Sequence, residues 1–266
     1  MLMIRALPTS YGRRDRIAEP TIALGGAVVF PLYDDNPFKL PRTPWVTWSL
    51  IAINVFVFLV TLGSPQSTQD TIAMFYGVTP AVFTSTTLTR GVGFTDITLV
   101  TGMFLHSGWE HILGNMVYLW VFGDDIEEAL GPFRFLAFYL LAGIGASLAY
   151  VAVNPNSGVP LVGASGAISG VLAAYLMLRP CAKVSVFVLR VVVRVRAYWV
   201  IGGWALLQLF LLAGQADDGV AYMAHVGGLG VGAVLFLGLR PTGVKLFECM
   251  GRESAAFGSF SDGNQA

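Results

Sequence analysis

The stretch Val162-Gly163-Ala164-Ser165-Gly166-Ala167-Ile168-Ser169-Gly170 opens an apolar segment that runs to Leu178. In water it would be read as a tight turn entering a helix, but its surroundings here are strongly apolar. A helix from Ser165 to Leu178 is about 21 Å long at ~1.5 Å per residue, against a hydrocarbon core of ~30 Å. With the Leu178 end at one interface, Ser165 lies on the order of 10 Å below the other surface. Gly158-Val159-Pro160-Leu161, just above it, is a poor helix former. Non-helical backbone at that depth is tolerated only beside a cavity or inside protein. The implied picture is a recessed hydroxyl that water can reach.

The rest of the chain agrees with a membrane setting. Its 266 residues are 55% hydrophobic and 12% charged, where a soluble domain carries about 25% charged residues. Net charge is zero, so composition gives no sign of nucleic-acid binding. Hydropathy marks six spans: Trp45–Leu62, Phe104–Gly123, Phe133–Val153, Ser165–Leu178, Ala197–Ala213 and Val220–Leu239. Trp45 and Trp48 suit interfacial anchoring of the first. Residues 63–101 read as a long loop, neither very polar nor clearly helical, resting at the interface on its aromatics. Residues 123–131 read as a charged turn, and 181–196, interrupted by Arg190, Arg194 and Arg196, as an interfacial or loop segment. Residues 29–43 are a turn-rich lead-in, and the N-terminus lacks the pattern of a signal peptide. The expected division is 1–43 extension, 44–240 membrane domain and 241–266 tail.

Of the 16 Lys and Arg, 15 fall on one side of a six-span arrangement and Arg90 alone on the other. The positive-inside rule then puts both termini in the cytosol. Cys181 and Cys249 fall on that reducing side and read as free thiols. Spans 2, 4 and 6 all enter from outside. They carry His106, His111 and Asn115, then Ser165, then His225, so three spans place polar groups at one depth.

A serine hydroxyl is a poor nucleophile until a base takes its proton, and His225 is the candidate base. The small-residue rows Gly166, Gly170, Ala174 and Ala224, Gly228, Gly232 would let spans 4 and 6 pack closely. His111 and Asn115, four apart, share a helix face. Both can offer hydrogen bonds to a developing oxyanion, with the Ser165 backbone N–H as a third donor. No carboxylate is placed by spacing beside His225, so the reading is a Ser–His dyad. Against it, glycine packing alone explains an isolated Gly-x-Ser-Gly, and three histidines can serve a transporter as metal ligands. No acidic or sulfur ligand joins the histidines, so no metal is expected. Gln208 reads as an interhelical hydrogen bonder.

His106-x4-His111-x3-Asn115, then Gly163-Ala164-Ser165-Gly166, then Ala224-His225-Val226-Gly227-Gly228, resembles the rhomboid family of intramembrane serine proteases. The resemblance covers roughly residues 29–240 and implies an all-α, six-helix membrane bundle with both termini cytosolic. It implies an endopeptidase in the bacterial inner membrane that cleaves transmembrane protein substrates near their extracytoplasmic end. Its partners would be those substrates and the lipid bilayer, with no cofactor. Ser165 would be the nucleophile, His225 the base, and His111 and Asn115 the oxyanion hole. His106, Gly163, Gly166 and Gly228 would be supporting residues, and Glu127 would brace the helix 1–loop region. The chain departs from the family pattern in having no Trp between Trp48 and Trp109, where a first-loop Trp-Arg pair is common. Some members also place a Tyr four residues after the nucleophile, stacked on the base. Here that residue is Ser169, so the orientation of His225 must rest on other groups. Catalytically silent relatives bind membrane clients; they lack the serine or histidine, which this chain keeps.

Overall fold

The computed structural model describes residues 23–24, 27–28, 30–35, 43–90, 94–188, 190–215 and 219–249. Helix α1 is Trp45–Leu62, α6 is Pro132–Val153 and α9 is Tyr222–Leu239. These three are long and apolar enough to cross a membrane, and two shorter apolar helices, α7 (Ser165–Leu178) and α8 (Ala197–Ala213), join them. Local chemistry sets the ends. Pro44 precedes α1, where its missing N–H costs nothing. Gly131, at φ 78°, breaks the chain ahead of Pro132, which occupies the first turn of α6.

The sequence reading needs four corrections. Residues 63–101 are not an irregular loop. They form α2 (Gln66–Tyr76), α3 (Pro80–Arg90) and α4 (Phe94–Thr101), followed by a 3-10 turn at Gly102–Phe104. Their weak amphipathic pattern hid them, because α2 buries no residue. The helix expected from Phe104 to Gly123 is α5, Trp109–Leu130. It starts later and runs through the expected charged turn, because Asp125 and Glu127 are buried against other parts of the chain.

The third correction is that the fold is mostly helical but not all-α. Strand β3 (Phe30–Asp34) pairs antiparallel with β4 (Lys183–Val188), and β4 with β5 (Val191–Arg196). Two short strands, β1 (Ala23–Leu24) and β2 (Ala27–Val28), pair with each other. The valines of residues 184–195 therefore serve a hairpin, with Lys183 opposite Arg196 and Val188 opposite Val191. Val184, Ser185 and Val186 are buried, whereas Val191 to Arg194 are exposed. Tyr175 Oη donates to Asp34 Oδ2 at 2.7 Å, which ties β3 to the last turns of α7.

The fourth concerns Cys181 and Cys249, which are joined in a disulfide with a Cα–Cα distance of 5.1 Å. The segment after α9 folds back so that the Phe247 N–H reaches the Met177 carbonyl at 2.7 Å and the Glu248 N–H reaches that of Leu178 at 3.3 Å. That return lays Cys249 beside Cys181.

The centre of the bundle is α7, with eleven buried residues among its fourteen. It packs on α9 through glycines. A Cβ on Gly228 would collide with the Gly166 carbonyl, and one on Gly232 would lie 2.7 Å from the Gly170 oxygen. Gly166 faces Ala146 of α6, where an added Cβ would come within 2.6 Å. Backbone contact of this kind is how apolar helices associate where burial from water supplies little drive.

Candidate active site

The turn that delivers Ser165 is held on both flanks. Leu161 exchanges backbone hydrogen bonds with Val78, at 2.9 and 3.0 Å, and the Gly163 N–H donates to the Gly102 carbonyl at 2.9 Å. The short helices between α1 and α5 therefore pin the α6–α7 connection. Gly163 has φ 118°, a backbone state that disfavours side chains. A Cβ there would meet His111 Nε2 at 2.6 Å. Glycine is thus required twice, for the turn and for the approach of the imidazole.

His111 sits in the first turns of α5. Its Nδ1 accepts from the Ser107 backbone N–H at 3.4 Å and lies 3.0 Å from Ser107 Oγ. A backbone N–H can only donate, so the neutral ring carries its proton on Nε2, the nitrogen facing Gly163. Asn115 Nδ2 donates to the His111 carbonyl at 3.0 Å. That uses one of its two amide hydrogens. The Ser165 N–H belongs to the first turn of α7, whose donors have no carbonyl within the helix. His106 lies before α5, not within it, and its ring stands 5.0 Å from that of His111, edge to face.

Across the glycine seam, His225 Nε2 is 2.9 Å from Ser165 Oγ. His225 is 8% exposed. Its Nδ1 is 2.7 Å from Gln208 Oε1, and the Trp204 ring stands 5.7 Å from its ring, tilted 40°. Ser169, where a stacking Tyr would sit, donates to the Ser165 carbonyl at 2.7 Å and leaves the imidazole alone. The structure thus brings Ser165, His225, His111, Asn115 and Gly163 together, with Gly166 and Gly228 in the seam beneath them.

Glu127 stands apart, in the last turns of α5. Its Oε1 accepts from the Val46 N–H at 3.0 Å, and its Oε2 accepts from the Thr47 N–H at 2.7 Å and Thr47 Oγ1 at 2.8 Å. A carboxylate on free N–H groups at a helix start satisfies both hydrogen bonding and the helix dipole. It fastens α1 to α5 far from the serine.

Sequence reasoning missed Ser107 and the partners of His225 on α8. Ser107 carried no signal beyond being four residues before His111. Gln208 was visible as a polar residue in an apolar helix, but nothing in the sequence named its partner.

Apolar helices of membrane-crossing length around a hydrogen-bonded Ser–His pair, its histidine buried and its serine half-buried, define an integral membrane protein. The Rhomboid domain matches residues 95–242, more than half of the chain, and the chain belongs to the rhomboid family. It is 33% identical over 140 residues to Rhomboid-like protein 11, chloroplastic, of Arabidopsis thaliana, covering 51% of this chain and 50% of that protein. Against Rhomboid protease AarA of Providencia stuartii it is 29% identical over 213 residues, 71% of this chain and 70% of that one. Against Rhomboid protease GluP of Bacillus subtilis (strain 168) the figures are 32% over 134 residues, 50% and 24%. The chain therefore spans half the length of the plant relative and a quarter of GluP.

Proposed function

We propose that this chain is an intramembrane serine endopeptidase that cleaves transmembrane protein substrates near the extracytoplasmic face. Six helices (α1, α5, α6, α7, α8 and α9) cross the bilayer of a bacterial inner membrane, with both termini in the cytosol. The observation that carries the reading is the 2.9 Å between His225 Nε2 and Ser165 Oγ, beside an imidazole N–H aimed at the same turn.

In the reaction, Ser165 Oγ attacks the scissile carbonyl carbon as its proton passes to His225 Nε2. The carbonyl oxygen becomes an oxyanion that accepts hydrogen bonds from the Ser165 N–H, His111 Nε2–H and the second hydrogen of Asn115 Nδ2. Collapse breaks the C–N bond, and His225 returns its proton to the leaving amine. Water then attacks the acyl-enzyme by the same route, its proton going to His225 and on to Ser165 Oγ. A peptide bond locked in helical hydrogen bonds cannot be attacked in this way. Substrate helices with Pro, Gly or small residues near their outer end are therefore favoured.

The test is cleavage of a tagged single-span protein by the purified chain in detergent. Wild type should cut it, and Ser165→Ala and His225→Ala should stay folded and lose all cleavage. Equal cleavage by Ser165→Ala would end this reading. Cleavage unmoved by helix-strengthening substitutions in the substrate would end the substrate rule alone.

A further inference from the structure

We infer that Gln208 is a positioning residue of the reaction, which fixes the tautomer and tilt of His225 from α8; this rests on the protease reading above. The argument starts from the cost of putting an amide where Gln208 is. Only Ala197, Ile201 and Gln208 are buried along α8, while Trp199, Leu206 and Phe210 are each about two-thirds or more exposed. Gln208 is thus the one buried polar side chain of that helix. A buried amide without a partner is costly, so its place demands a hydrogen bond. Its Oε1 finds one at His225 Nδ1, at 2.7 Å.

The chemistry of that bond has one consequence for the serine. An amide oxygen can only accept, so Nδ1 carries the imidazole proton. Nε2 is then left with its lone pair, and Nε2 is the nitrogen facing Ser165 Oγ. The opposite tautomer would present an N–H to the serine and could not take its proton. When His225 becomes an imidazolium, Gln208 Oε1 still accepts from Nδ1–H. The dipole then favours the charge that forms without adding a buried charge to the resting state. This is the orienting role of the third group in a catalytic triad, filled by a neutral side chain.

Trp204, one helical turn before Gln208, sets its ring beside the imidazole, tilted 40° to it. α8 therefore restrains the imidazole by a hydrogen bond and a ring contact. It supplies what Ser169 does not. Among the described residues, His111 is the other ionisable group whose field reaches His225.

The experiment uses the full-length purified chain and a fluorophosphonate, whose attachment to Ser165 needs an activated hydroxyl but no knowledge of substrate. Gln208→Met keeps the length and removes the acceptor; Gln208→Glu keeps an acceptor. Gln208→Met should label on the order of 10- to 100-fold more slowly, a step below the ~10²–10⁴-fold that the proton transfer itself is worth. Its kcat on a single-span substrate should fall likewise, with KM within about twofold. Gln208→Glu should label within about threefold of wild type, with the acid limb of its pH–rate profile moved to higher pH, because a carboxylate favours the imidazolium. In 15N spectra, wild-type His225 should show Nδ1 protonated and Nε2 bare, and Gln208→Met a mixture of tautomers. Melting temperatures of the variants separate this from unfolding. Labelling of Gln208→Met at the wild-type rate, or an unchanged tautomer, would overturn the inference and leave the dyad standing. Slow labelling of Gln208→Glu with an unmoved acid limb would overturn it too. A wild type that neither labels at Ser165 nor cleaves would remove the protease reading and this inference with it.

Discussion

The helices that carry the Ser–His pair and the helix that flanks it make contact in opposite ways. α7 and α9 meet backbone to backbone, with Gly166 against Gly228 and Gly170 against Gly232. α8 buries only Ala197, Ile201 and Gln208 and reaches the site through Gln208 and Trp204. The seam sets where Ser165 and His225 stand, to within a hydrogen bond, and tolerates no added atom. The α8 contacts set how the imidazole is turned, and they are made by side chains that can be removed without displacing a helix. Position and orientation of His225 are therefore separable, and mutations should affect them differently.

The largest effect should come from the seam. Gly232→Val puts a branched side chain into the Gly170 backbone. Overpacking a tight site costs about 1–3 kcal/mol, more when the obstacle is backbone. Loss of all cleavage, with a broadened elution profile on size exclusion, is the expected outcome. A folded, active Gly232→Val would show that the seam is looser than described.

Gly163→Ala should come next. It strains a turn at φ 118° and drives a methyl group onto His111 Nε2. The expected loss is about 10²–10³ in kcat, the worth of one oxyanion donor, with the protein still folded. Kinetics and a thermal melt together check this.

Trp204→Ala removes a ring contact with His225, of about 0.5–1.5 kcal/mol, together with packing on the core. It should slow cleavage roughly 2- to 10-fold and lower the melt slightly, the protein staying folded. The smallest effect belongs to the outward face of α8. Leu206 is 68% exposed, and Leu206→Ala should stay within about twofold of wild type. If Leu206→Ala matched Trp204→Ala, the effect of Trp204 would belong to the helix as a whole and not to its contact with His225.

Much of this arrangement was legible in the sequence, for physical reasons. The ends of α1, α7 and α8 could be read to the residue, because hydropathy and breakers such as Gly63, Pro180 and Gly214 are local signals. The convergence of His111, Ser165 and His225 could be expected from three helices read as entering in one direction. What escaped depends on partners distant in sequence. α5 continues past Gly123 because Glu127 is satisfied by Val46 and Thr47, some eighty residues earlier. The sheet joins Asp34 to Val184, and the disulfide joins Cys181 to Cys249. Gln208 announced a hydrogen bond, yet only the packing of α8 on α9 shows that its partner is His225.

The central claim is that His225 activates Ser165. The most direct measurement is peptide mapping of the fluorophosphonate adduct on the purified protein, beside Ser165→Ala and His225→Ala. The account predicts an adduct on the peptide containing Ser165 in wild type, and none in either variant. An adduct of equal yield on Ser165 in His225→Ala would show a serine that reacts without its base, and would contradict the account.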